Sequence, residues 1–119
     1  DAGAESPGES GCRWAVLRDG FPVPLTQVPV PTRLGTFWLD LGWPEWSVGI
    51  EYDGRVKYRT HDDLVHEKRR HDAITEAGWR VVRVTAEDRP TRAGLTNRLA
   101  PLLPATVTTG LRPRVDLAR

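Results

Sequence analysis

The chain has 119 residues, of which 39% are hydrophobic and 28% charged, with a net charge of +1. That length holds one domain with a modest core, and the near-neutral balance means that a polyanion must be met by local clusters of charge rather than a basic bulk. No apolar run approaches the roughly 20 residues that span a bilayer, the opening DAGAESPGES is no secretory signal, and the lone Cys12 excludes an internal disulfide and fits a reducing cytoplasm.

In chain order, Ser6-Pro7-Gly8-Glu9 has the form of a capping box with proline at the first helical position. A first helix is expected from there through Trp14, Val16 and Leu17 to a stop at Gly20. Thr26 to Val30, between Pro24 and Pro31, reads as a short first strand. From Thr36 to Leu41 the alternation puts Phe37, Leu39 and Leu41 on one face, with Trp38 and Asp40 on the other. The stretch GWPEWS at 42–47 reads as a turn, and Val48 to Asp53 as the next strand.

Residues 54–61 form a polar loop rich in positive charge. Asp62 or Asp63 is expected to cap a second helix running through Leu64, Val65, Lys68 and Ile74 to Gly78. WRVVRVT at 79–85 reads as a fourth strand, and Pro90 opens a third helix carrying Leu95, Leu99 and Leu102, with Pro104 at its end. The remainder, ATVTTGLRPRVDLAR, shows no clear pattern. A strand–helix–strand unit joins parallel strands by a crossover, whereas the strands before it are antiparallel. The expected architecture is therefore an α/β domain with a mixed sheet. Its core is expected at about 5–103 with a tail at 104–119; the missing methionine and the first residue Asp suggest a single domain excised from a longer protein.

The stretch GIEYDG at 49–54 carries two carboxylates on one face, Glu51 and Asp53, with Ile50 and Tyr52 on the other. If Leu41 is to share a buried face with Ile50, the register puts Asp40 opposite Glu51 or Asp53. Three carboxylates then crowd one patch. Hard oxygen donors in that arrangement suit a divalent cation; alternatively, they form the solvated face of a hairpin, neutralised by nearby arginines.

Asp40, then Glu51-Tyr52-Asp53-Gly54, a basic loop, a Lys/Arg-rich helix and GWRVVRVT together resemble a bacterial domain family related to the very-short-patch-repair (Vsr) endonucleases. Those belong to the PD-(D/E)xK, or restriction-endonuclease-like, superfamily. The similarity covers about Glu5 to Glu87 and takes in ESPGES and TQVPV. It implies a three-layer α/β/α fold around a central mixed sheet, and hydrolysis of DNA phosphodiesters with Mg²⁺ (or Mn²⁺) held by Asp40 and Glu51. By the same resemblance Glu9 of the first helix reaches the metal centre, against its alternative place in the capping box.

The chain departs from the superfamily signature where the lysine two residues after Glu51 is replaced by Asp53. That leaves the water-orienting role unassigned, with Lys57 as the candidate to swing into it. Arg55, Lys57, Arg59, Lys68, Arg69 and Arg70 follow the acidic strand and are the expected phosphate contacts. Their bland alternative is a solvated helix face on which Arg69 pairs with Asp72. A double-strand cut would call for a homodimer, and the setting would be the nucleoid-bearing cytoplasm. The rival expectation is a catalytically inactive docking module of an antitoxin or transcriptional-regulator type of protein, preceded by a winged-helix segment. His61, His66 and His71 recur every five residues, which does not align them for zinc. Trp43 and Trp46 either stack on bases or cap the core, and Gln27 has no assigned role.

Overall fold

The computed structural model describes residues 7–53, 60–85 and 92–111. In order these form α1 (Pro7–Arg18), β1 (Leu25–Thr32), β2 (Gly35–Trp43), a 3₁₀ turn (Pro44–Trp46), β3 (Val48–Asp53), α2 (His61–Glu76), β4 (Arg80–Thr85), α3 (Arg92–Leu99), a second 3₁₀ turn (Ala100–Leu102) and α4 (Ala105–Thr108). The expected order of elements is present, with the short α4 added in the segment that showed no pattern. Ser6 and Pro90, expected at helix starts, lie outside the described residues. The cap of α2 is Thr60 rather than Asp62 or Asp63. Its hydroxyl accepts from the Asp63 backbone N–H, and the Asp63 carboxylate accepts from the Thr60 N–H, closing a capping box.

The strands form one sheet in the order β1-β2-β3-β4. β1–β2 and β2–β3 are antiparallel, and β3–β4 is parallel. Pro29 and Pro31 sit inside β1, which is possible because β1 is an edge strand: among the described residues no strand lies on its outer side to receive their missing N–H groups. Helices pack on both faces. On one side Cys12, Ala15 and Val16 of α1 and Leu95 and Leu99 of α3 close over Leu41, Trp43, Val48, Ile50, Val82 and Val84. On the other, Ile74 of α2 packs on Val28, Val30 and Leu39, with Phe37, Trp79 and Val81 alongside. Trp43 is a core residue, its indole N–H donating to the Pro22 carbonyl at 3.0 Å, so it is not an available base-stacking platform.

One sequence expectation fails here for a physical reason. Leu39 and Leu41 do not share a core: Leu39 belongs to the α2 side and Leu41 to the α1 side. Between them the sheet is interrupted at Asp40. The β1–β2 register passes from Thr26↔Leu41 to Val28↔Leu39 without a Gln27↔Asp40 pair, and Gln27 has a left-handed backbone (φ 52°). The β2–β3 ladder likewise ends at Leu41↔Ile50. Strict alternation presumes an unbroken strand, so a single irregular position reassigns every residue beyond it.

Room for Leu39 on the α2 side is made by Gly49. A Cβ there would lie 2.4 Å from Leu39 Cδ1 and 3.2 Å from the Leu41 carbonyl oxygen. Gly49→Ala should destabilise the chain by about 1–3 kcal/mol through overpacking, read as a lower midpoint in urea at unchanged slope. A variant as stable as its parent would mean that Leu39 moves aside without loss.

Candidate functional site

The interruption at Asp40 builds the site. β2 and β3 part at this point, and the Asp40 carboxylate steps into the broken ladder, its Oδ2 accepting the Tyr52 backbone N–H at 2.8 Å. Asp40 is thus tied to the backbone between Glu51 and Asp53 rather than squarely paired across the sheet. α1 brings the third carboxylate. Gly8 lies against the Tyr52 ring so closely that a Cβ would fall 2.0 Å from Tyr52 Cε2, and the next residue, Glu9, hydrogen-bonds with Asp40. Glu9 and Asp40 therefore meet directly, while Glu51 acts on Asp40 through its charge and turns its own oxygens to α2.

Electrostatics at the fork are unfavourable to Asp40 as an anion. Burial raises its pKa above the usual carboxylate range, and the charge of Glu51 adds to the rise. The Tyr52 N–H, the Glu9 hydrogen bond and the more distant Arg70 offset this only in part. The same acidic field reaches Cys12, whose thiol is pushed up to about 11, first by burial and then by Asp40 and Glu9.

Glu51 is differently placed. Its side chain is 15% exposed and meets the guanidinium of Arg70, itself 22% exposed, in a two-pronged contact. Arg70 Nη1 donates to Oε1 at 2.9 Å and Nη2 to Oε2. Arg70 Nη2 also reaches the Trp38 carbonyl at 3.4 Å, and the guanidinium carbon lies 5.3 Å from the centre of the Phe37 ring. The hydrogen bonds to Glu51, ahead of the charges of Glu51 and Glu67, hold the Arg70 pKa above its ordinary value despite burial. Beside this pair Arg83 of β4 binds Glu67 of α2 and stands 3.8 Å from Glu51 and 3.7 Å from Asp53. Glu51, Glu67, Lys68, Arg70, His71 and Arg83 line a ≈330 Å³ cleft together with the apolar Leu64, Ile74 and Val81.

Arg70, expected on the phosphate-facing surface, is turned onto Glu51. Lys68 is exposed and pairs with Asp72 at 3.7 Å, taking the partner expected for Arg69, which is exposed on the same helix. Arg55, Lys57 and Arg59 lie outside the described residues. Sequence reasoning gave Glu67 only a charge-balancing place, gave Gln27 no role and did not single out Arg83, whose partners depend on how α2 lies on the sheet. Among the described residues no helix is long and apolar enough to cross a membrane.

A pH dependence follows from Asp40. Its native pKa is raised, so the folded state holds the proton more tightly than the unfolded chain, and stability falls as pH climbs from the usual carboxylate value through the raised one. Asp40→Asn keeps an oxygen for the Tyr52 N–H and removes the charge. It should melt higher than the parent at neutral pH, with the gain vanishing below the usual carboxylate range. A neutral-pH melting temperature equal to or below the parent's would contradict the account.

No family model matches the chain, and no solved structure matches it. It is 29% identical over 89 residues to "Uncharacterized protein MT2308" of Mycobacterium tuberculosis (strain CDC 1551 / Oshkosh) and to "Uncharacterized protein Rv2248" of Mycobacterium tuberculosis (strain ATCC 25618 / H37Rv). The match takes in 74% of this chain but 33% of each relative, so the chain spans about a third of the length of the curated relatives it matches.

Proposed function

We propose that this domain is a restriction-endonuclease-like, Vsr-related nuclease that hydrolyses DNA phosphodiesters with Mg²⁺ or Mn²⁺. The observation that carries the reading is the Asp40 carboxylate where β2 and β3 part: it is held by the Tyr52 N–H and Glu9, lies in the field of Glu51, and bears a charge its surroundings do not favour. A four-stranded mixed sheet with helices on both faces is consistent with the three-layer α/β/α fold that the sequence resemblance implies.

The donors match the ion in kind only, since Arg70 engages both oxygens of Glu51. Asp40 and Glu51 offer hard carboxylate oxygens from adjoining strands. Among the described residues no group of three or more His, Cys, Asp or Glu is arranged to hold a metal. Mg²⁺ is commonly held by one or two carboxylates, with water and substrate phosphate completing its shell. When bound, the ion would supply the positive charge that polarises a phosphoryl oxygen and acidifies water. The chain's own residues do the rest. Tyr52 N–H fixes the Asp40 rotamer, Glu9 sets the second side of that carboxylate, and Arg83 holds Glu67 and Asp53 at the rim. Hydrolysis adds a water oxygen to phosphorus and breaks one P–O ester bond, the proton passing to the departing alkoxide.

A second reading is favoured by a specific contact: both oxygens of Glu51 are taken by Arg70, and Asp53 stands where the signature has lysine. On that reading the fold docks nucleic acid without cutting it, as part of a longer regulator. Incubating supercoiled plasmid with the chain and Mn²⁺ separates the two. The nuclease reading expects nicking that stops with EDTA and drops by about a hundredfold or more in Asp40→Ala and Glu51→Ala. Salt-sensitive binding with no cleavage, indifferent to metal, would favour docking. Neither cleavage nor binding would remove both.

A further inference from the structure

Resting on the nuclease reading for its consequence, we infer that Tyr52 is a positioning residue that sets the Glu9–Asp40 pair from both sides: its backbone N–H fixes Asp40, and its ring seats Gly8, the residue before Glu9. The first contact is the hydrogen bond from the Tyr52 N–H to Asp40 Oδ2 at 2.8 Å. The second is steric. A methyl group on Gly8 would overlap Cε2, Cζ and Cδ2 of the Tyr52 ring. The ring has little freedom to retreat, because it packs against the core that α1 and α3 close over the sheet. Gly8 also opens the stripe of α1, continued by Cys12, Ala15 and Val16, that faces this core. A residue with no side chain lets the first turn of α1 come down onto β3.

Glu9 depends on that closeness. A hydrogen bond between two carboxyl groups holds one proton between two oxygens, so a shift of about an ångström breaks it. Glu9 follows Gly8 directly and hydrogen-bonds with Asp40 from the same turn, so whatever lifts Gly8 off the ring also lifts Glu9 off Asp40. Gly11 supplies the contrast within the same helix: a methyl group there meets nothing within 4 Å. Alanine at position 11 should favour the helix, as it does in any open helical site, whereas alanine at position 8 should displace its start. Tyr52 is thus more than the spacer between Glu51 and Asp53.

Double-mutant cycles in urea test this without any substrate. Glu9→Ala and Asp40→Ala are made singly and together, and the non-additivity of their effects on the unfolding equilibrium measures the pair. In the parent the two should be non-additive by about fivefold or more. In Gly8→Ala they should become additive to within about twofold, whereas Gly11→Ala should keep the parent's coupling. Tyr52→Leu frees the space the methyl group needs while keeping the backbone N–H, so adding it to Gly8→Ala should restore most of the coupling. Additivity in the parent, coupling that survives Gly8→Ala, or coupling that Tyr52→Leu does not restore would each overturn the inference. Should Gly8→Ala not fold, a cooperative transition regained with Tyr52→Leu supports it, and the lack of one counts against it. Plasmid nicking then separates the inference from the reading beneath it. Gly8→Ala should slow nicking as much as Glu9→Ala does, and combining them should cost nothing further. Nicking by Gly8→Ala at the parent's rate removes the positioning role and leaves the nuclease reading. The expected couplings in a chain that never nicks DNA keep the positioning and end the nuclease reading.

Discussion

The contact between the Arg70 guanidinium and the Glu51 carboxylate organises this side of the molecule. α2 buries little apolar surface: Ala73 and Ile74 near its C-terminus enter the core, whereas Leu64 and Val65 in its first turns are exposed. Its middle is held to the sheet by charge, through Arg70 to β3 and Glu67 to β4. An exposed ion pair contributes roughly 0–1 kcal/mol. A pair as sheltered as Arg70–Glu51 matters more, because loss of one member strands the other away from water. The position of α2, and with it the cleft, follows from where these charges sit.

Much of the fold was legible because its signals are short-range. The β3 strand reads from its alternation, α1 from its proline start and glycine stop, and β4 from its run of valines. The register Leu41↔Ile50 followed from the need to keep both side chains dry. What escaped is the one place where the chain disobeys local rules. Gln27 adopts a left-handed conformation that its residue type does not advertise, and Leu39 crosses to the other core as a result. Pro31 likewise argued for a shorter β1, although an edge strand tolerates it.

The candidate site was legible to the same depth and no further. Counting along strands singled out Asp40, Glu51 and Asp53, whereas the approach of Glu9 to Asp40 was expected only from the family resemblance. Counting could not assign partners, because pairing depends on how α2 lies across the sheet. Arg69, Arg70 and Lys68 are consecutive and chemically alike in sequence, yet Arg70 turns to the cleft while Lys68 stays with Asp72 at the surface. A helix advances 100° per residue, so neighbours in a basic run cannot share a role. Glu67, one turn before Arg70, falls on the same side and completes the network with Arg83.

Asp40 and Glu51 also show why two carboxylates at one fork are not equivalent. Glu51 has an arginine that matches its geometry, whereas Asp40 has a backbone N–H, a neighbouring acid and only the remote field of Arg70. Burial weighs against the Asp40 charge more heavily than those contacts weigh for it, so the carboxylate gains from any added positive charge. A proton satisfies Asp40 alone, and less readily as pH rises. The asymmetry lies in the partners: Arg70 and Arg83 match the charge of Glu51, whereas Asp40 keeps its charge only against its burial.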